Sequence, residues 1–280
     1  AVSEFVAAAS LVQHEDLHNA SAQLALDGLA LLEGQGQKCV LFLIGALRSA
    51  GQAGPDALQD AIWMLAKVAK RSEAARTWAL EAGGAEVLHA ALAAHPSESK
   101  LLQKGTWLAY TLDGLRGFAE LLVRSRGTCA GHAAIRGAVA WCIYEIVGGQ
   151  EETSEDWVAQ SKPDSASTMA LLVEAMRYEG MTADAQWACC LALDVLSKKE
   201  PRTGSIFVVE HGGAVLLTSL VKAAKDAGDY RENLLKTVAC LLASLADANA
   251  HVAELLRAQG AIQTLAEEGL SGGDRSVEAV

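Results

Sequence analysis

A short pattern of core residues recurs along this chain and constrains its fold more than any other feature. In three segments a Trp is followed by an apolar residue two positions later and by another five positions later: Trp63, Leu65 and Val68; Trp107, Ala109 and Leu112; Trp141, Ile143 and Ile146. The same spacing without Trp recurs at Leu24, Leu26 and Leu29; at Leu191, Leu193 and Leu196; and at Cys240, Leu242 and Leu245. Six recurrences predict stacked helical units.

The segments between these patterns contain signals for further helices and for the ends of those helices. Gly-Ala steps at Gly84, Gly213 and Gly260 each open an apolar pattern of about ten residues. Short helical patterns precede these steps at Ser72 to Ala82, Thr203 to Glu210 and His251 to Ala258. The four prolines fall between patterns, where a missing N–H does no harm. Strand signals are absent, so the sequence predicts an all-α fold.

A unit of one short helix, a Gly-Ala second helix and a long third helix with a Trp core resembles the armadillo repeat. The last copy, from His251-Val252-Ala253 to Gly260-Ala261-Ile262, carries the resemblance most clearly. The resemblance implies one right-handed α-solenoid domain of about six units over residues 1–280, some of them degenerate. The HEAT repeat and a non-repeat helical bundle are the alternative folds.

In armadillo proteins the third helices line a groove that binds extended peptides. The resemblance therefore implies groove contacts from the Trp positions and from the positions four residues later. These candidates are Trp63, Lys67, Trp107, Thr111, Trp141 and Glu145. Nuclear-import receptors of the family carry Asn at the second position, where it holds the peptide backbone. None of the corresponding residues here is Asn, so recognition of nuclear-localisation peptides is not expected.

Two further regions are secondary candidates for binding. The polar, acidic segment near 150–167 is predicted to be an insertion loop, and its Trp157 either contacts a partner or packs back onto the protein. A group of basic residues lies either on a patch for an acidic segment or on a solvated face. Its members are Arg116, Arg124, Arg126 and Arg136.

Composition narrows the classes of partner. The formal net charge of −11 opposes nonspecific nucleic-acid binding, which needs a basic surface. No apolar run is long enough to span a membrane. The six cysteines form no Cys-x-x-Cys pair, which indicates a reducing, cytoplasmic or other intracellular compartment. The chain starts at Ala1 without Met, so a removed targeting peptide stays an open alternative.

The sequence therefore predicts a non-catalytic scaffold or assembly subunit that needs no cofactor. Two alternatives remain. Some armadillo-like proteins of similar length are Hsp70 co-chaperones that exchange nucleotide. The motif from His14 to His18 matches H-E-x-x-H, which would place two zinc ligands one helical turn apart in a hydrolase. Asp16 and the missing third ligand oppose a metal site there.

Overall fold

The computed structural model describes residues 36–49, 54–126, 129–148, 164–178, 181–224 and 227–271. In these residues the chain forms thirteen α-helices and one 3₁₀-helix and contains no strand, so the predicted all-α class is confirmed there. The chain divides into two compact units, one ending at Ser125 and the other beginning at Arg126. The single solenoid domain over residues 1–280 stays a prediction.

Unit 1 contains five helices in its described residues. They are α1 (Gly36–Arg48), α2 (Pro55–Arg71), α3 (Glu73–Glu81), α4 (Gly84–Ala94) and α5 (Ser99–Arg124). The long helices α2 and α5 pack side by side, while α1 packs against α2 and α4 packs against α5. Leu65 at the middle of α2 and Leu108 in α5 are fully buried.

Unit 2 contains eight α-helices and the 3₁₀-helix in its described residues. They are α6 (Ala130–Gly148), α7 (Ser165–Arg177), α8 (Ala183–Lys199), α9 (Pro201–Val209), α10 (Gly213–Ala223), the 3₁₀-helix (Gly228–Tyr230), α11 (Arg231–Ala248), α12 (Ala250–Ala258) and α13 (Ala261–Ser271). The long helix α8 packs against both α6 and α11. The segment predicted as a loop near 150–167 lies mostly outside the described residues, and its last residues open α7.

The predicted succession of short helices is confirmed. A helix of nine residues is followed by one of eleven at α3 and α4, at α9 and α10, and at α12 and α13. The glycine before each second helix, Gly83, Gly212 or Gly260, has a positive φ of 65 to 76°. Only glycine adopts this left-handed conformation at no steric cost, which explains why a glycine separates the two helices.

The recurring core pattern is buried at its middle position in every described copy. Those residues are Leu65, Ala109, Ile143, Leu193 and Leu242. Burying a Leu or Ile side chain contributes about 1.5–3 kcal/mol, so this position is a main source of packing energy in both units. The first position varies, because Trp107 is buried, Trp63 and Trp141 are partly exposed, and Cys240 is exposed.

Helix α5 is bent near its middle. Asp113 and Gly114 leave the helical conformation, and Gly114 has φ 57° and ψ −139°. Beyond the bend, Phe118 stacks on Tyr110 with ring centroids 5.2 Å apart and an angle of 24° between the planes. Residues eight apart in a straight helix are separated by about 12 Å along the axis, so the bend is what brings these two rings together.

Candidate binding surface

A row of aromatic side chains crosses the long helices of unit 2. Trp141 of α6 meets Trp187 of α8 edge to face, with ring centroids 5.6 Å apart and an interplanar angle of 89°. Trp187 in turn lies 6.1 Å from Tyr230, at the end of the 3₁₀-helix. Both tryptophans are partly exposed and Tyr230 is 41% exposed. Trp141, Trp187 and Tyr230 are called the aromatic row below.

Hydrogen bonds between helices fix the orientation of both indoles. Trp141 Nε1 donates to Asp184 Oδ2 on α8 at 2.8 Å. Trp187 Nε1 donates to Thr237 Oγ1 on α11 at 2.9 Å. Edge-to-face aromatic pairs contribute about 0.5–1.5 kcal/mol beyond their buried area, and each hydrogen bond adds about 1 kcal/mol. The row is therefore a rigid surface that three neighbouring helices position.

Sequence reasoning did not find Trp187 or Tyr230. Trp187 stands four positions before Leu191, outside the Trp register, and Tyr230 precedes a long helix. A helix places residues four apart on the same face. The spacing of Trp187 from Leu191 therefore indicates that Trp187 lies on the same face of its helix as the first residue of the recurring pattern. No spacing in the sequence indicated that it meets Trp141.

The candidates of unit 1 lie in two different settings. Trp63 and Lys67 are partly exposed on α2, and the Lys67 ammonium stands 5.3 Å from the centre of the Trp63 ring. Trp107 and Thr111 are both 4% exposed, and the Thr111 hydroxyl donates to the carbonyl of Trp107 at 2.9 Å. The Trp63 and Lys67 pair is thus accessible, whereas Trp107 and Thr111 belong to the core of unit 1.

In unit 2 the positions four residues after the first residue of the recurring pattern carry an acidic, an apolar and a hydroxyl side chain. Glu145 on α6 and Val195 on α8 are partly exposed. The Ser244 hydroxyl on α11 has two acceptors for its single proton, Asp194 Oδ1 at 3.1 Å and Cys240 O of its own helix at 2.9 Å. None of these side chains is an amide, as the sequence indicated. A backbone clamp of the nuclear-import type has no counterpart on these three helices.

The basic residues of the predicted group fall in both units. Arg124 of unit 1 pairs with Glu86 at 2.7 Å and with Glu120 at 2.6 Å. In unit 2, by contrast, Arg136 is fully buried, which is incompatible with a place on a solvated face. Arg124 is thus paired with two carboxylates, and Arg136 is not at the surface.

Arg126 belongs to a small cluster around Tyr178 in unit 2. Its Nε donates to the Tyr178 hydroxyl at 3.0 Å and its Nη2 pairs with Glu174 at 3.0 Å. The Tyr178 hydroxyl donates to Glu174 at 2.7 Å, and the Arg136 guanidinium lies 5.7 Å from the centre of the Tyr178 ring. The hydrogen bond to Tyr178 and then that to Glu174 raise the pKa of Arg126. The cluster ties the start of unit 2 to the end of α7.

A cleft of about 400 Å³ opens in unit 1 beside the bend of α5. Its apolar part includes Leu80, Leu88 and Leu112, and its charged part includes Glu86 and Arg116. With Asp113 and Glu120 the lining has three carboxylates and one guanidinium, so acidic groups predominate in the cleft.

Several predicted sites lie outside the described residues, among them His14, His18 and Trp157. Within the described ranges no group of three or more His, Cys, Asp or Glu side chains is placed to hold a metal ion. Of the helices described, none is by itself both long and apolar enough to cross a membrane; α9 and α10 meet that test only as a pair bent by 81°.

A scan against protein-family models, a search of the curated proteins and a search of the solved structures each find nothing that matches this chain. The resemblance to armadillo repeats therefore stays a prediction from its residues.

Proposed function

We propose that this chain is an armadillo-like α-solenoid that binds an extended segment of a protein partner without catalysis. Two features support the architecture. A nine-residue helix, an eleven-residue helix and a long helix follow one another at α3 to α5 and at α9 to α11. In unit 2 the long helices α6, α8 and α11 lie side by side, as third helices do in such a solenoid.

The aromatic row is the observation that carries the proposed binding role. Partly exposed Trp and Tyr side chains dominate the energetics of protein interfaces, because they bury a large area at a small entropic cost. Here hydrogen bonds already fix the orientation of both tryptophans, so these two side chains gain little further order on binding. Six free thiols support a reducing intracellular setting for this interaction.

The test is a selection of twelve-residue peptides from a displayed library against the full chain. We expect selected peptides to bind with an affinity that fluorescence anisotropy can measure. Trp187→Ala and Tyr230→Ala should each weaken that affinity by about tenfold or more, the effect typical of interface hot spots. Circular dichroism checks that both variants retain the helical content of the parent.

Trp78→Ala is the matched control, because Trp78 is a partly exposed tryptophan of unit 1. Its affinity for the selected peptides should equal that of the parent. Peptides that bind both aromatic-row variants as tightly as the parent would show that this surface is not the binding site. A library that yields no binder would reject the proposed function itself.

A further inference from the structure

The groups of the aromatic row that are available to a ligand restrict which partner segments can bind there. Both indole N–H groups are engaged inside the unit, Trp141 with Asp184 and Trp187 with Thr237. Neither can donate to a peptide carbonyl without losing a bond to a neighbouring helix. What the row presents to a ligand is therefore the faces and edges of its rings.

The three clamp positions of unit 2 also lack the amide side chain that can donate to and accept from a peptide backbone at once. The clamp positions of unit 2 are Glu145, Val195 and Ser244, and the Ser244 hydroxyl is engaged with Asp194 and Cys240. A flexible segment ordered here would lose conformational entropy without compensating backbone bonds. A segment that is already extended, and whose backbone stays solvated, avoids this cost.

Polyproline II is the conformation that meets both conditions. It has no internal hydrogen bonds, its backbone is fully solvated, and proline has no N–H to satisfy. It makes one turn in three residues, so the same face recurs about every 9 Å along the helix axis. The row, whose neighbouring ring centroids are 5.6 and 6.1 Å apart, is therefore long enough to contact at most a little more than one turn of such a helix. Aromatic-lined grooves are also the general means by which proline-rich segments are recognised.

Charge selects among proline-rich segments. Asp184 contacts the ring of Trp141 through its hydrogen bond, and Asp229 directly precedes Tyr230. Asp184 is partly exposed and Asp229 is exposed. Among the residues that the structure describes, neither carboxylate forms an ion pair. Asp184 thus places negative charge at the Trp141 end of the row, which complements a cationic ligand. At the other end Tyr230 stands between Asp229 and Arg231, so that end carries both signs.

We propose that the aromatic row binds a proline-rich partner segment that carries Lys or Arg and adopts polyproline II, with prolines against Trp141, Trp187 and Tyr230 and a cation beside Asp184. This inference rests on the proposed function, since it names the partner of the same surface.

Three labelled peptides of twelve residues test it with the full chain at physiological ionic strength. One repeats Arg-Pro-Pro four times, the second repeats Arg-Ala-Ala and the third repeats Glu-Pro-Pro. The first should bind at least tenfold more tightly than either of the others by fluorescence anisotropy. Tyr230→Ala, which removes an exposed ring and no core atom, should weaken its binding at least fivefold. Asp184→Asn keeps an acceptor for the Trp141 N–H while removing the charge, so it should weaken binding of the Arg-Pro-Pro peptide severalfold.

Each contrary result would contradict a different part of the proposal. Equal binding of the Arg-Ala-Ala peptide would show that charge alone is recognised, and equal binding of the Glu-Pro-Pro peptide would show that the carboxylates select nothing. If none of the three binds while library-selected peptides still depend on Trp187, the partner class is wrong and the proposed function stands. If library peptides bind but none depends on the row, the row is not the binding site and this inference fails, whereas a library that yields no binder rejects the proposed function as well.

Discussion

At the scale of single residues, the space around a glycine decides which other side chains its position accepts. Gly213 opens α10, and a Cβ atom there would lie 2.5 Å from the ring of Phe207, which is fully buried. Gly137 lies in the middle of α6, and a Cβ atom there would meet the Ala185 side chain at 3.5 Å, an ordinary contact. Gly213 thus has no room for a Cβ atom, whereas Gly137 of the same unit has room for one.

We therefore expect Ala substitutions at these two positions to have opposite effects on stability. Gly213→Ala should lower the free energy of unfolding by about 1–3 kcal/mol, because a buried ring cannot move aside freely. Gly137→Ala should raise it by about 0.5–1 kcal/mol, because Ala loses less backbone entropy than Gly in a helix. Denaturation by guanidinium, followed by circular dichroism, measures both. A stabilised Gly213→Ala variant would show that the α9 and α10 packing adjusts.

At the scale of elements, the bend in α5 depends on a backbone conformation that few residues adopt. Gly114 combines φ 57° with ψ −139°, whereas Gly212 between α9 and α10 has φ 65° and ψ 34°. The second pair of angles lies in the left-handed region, which Asn tolerates, and the first lies outside it. Space is not limiting at either position, since no heavy atom lies within 4 Å of an added Cβ.

Asn substitution distinguishes the two turns. Gly212→Asn should cost less than about 1 kcal/mol of stability, and Gly114→Asn should cost about 1–3 kcal/mol, because only the latter imposes a strained conformation. Thermal unfolding monitored by circular dichroism provides the comparison, each variant against the parent. Equal and small losses would mean that α5 straightens or bends elsewhere when Gly114 is replaced.

At the scale of the whole molecule, the six cysteine thiols are distributed over both units and differ in burial. Cys129 and Cys240 are exposed, whereas Cys142, Cys189 and Cys190 are buried. Burial raises the pKa of the Cys190 thiol to about 12 and holds those of Cys142 and Cys189 well above the usual value. Because the thiolate is the reactive form, the buried thiols are protected both by access and by protonation.

Labelling with iodoacetamide at pH 8 should therefore separate the cysteines into classes. Cys129 and Cys240 should be modified in the native protein, and Cys142, Cys189 and Cys190 only as guanidinium unfolds unit 2. Mass spectrometry of the digested protein reports each site. Native labelling of Cys189 at the rate of Cys240 would show that α8 opens locally, without global unfolding.

The sequence by itself determined the helical class, the succession of short helices and, to within two residues, the ends of the three short helices whose bounds it predicted. These follow from local physics: apolar spacing defines the buried face, proline lies at a helix boundary and opens α2 and α9, and glycine takes the left-handed turn between helices. The helix predicted at Ser72 to Ala82 is found at Glu73–Glu81, and the Gly-Ala step at Gly84 opens α4 as expected. The resemblance to armadillo repeats rests on the same local signals.

Only the tertiary structure decided how the aromatic residues are used. The Trp register treats Trp63, Trp107 and Trp141 alike, yet Trp107 is buried and the other two are partly exposed. Trp141 finds its aromatic partner in Trp187, 46 positions later and outside the register. Burial and pairing depend on which helices become neighbours and at what angle they pack, and no spacing within one helix encodes that.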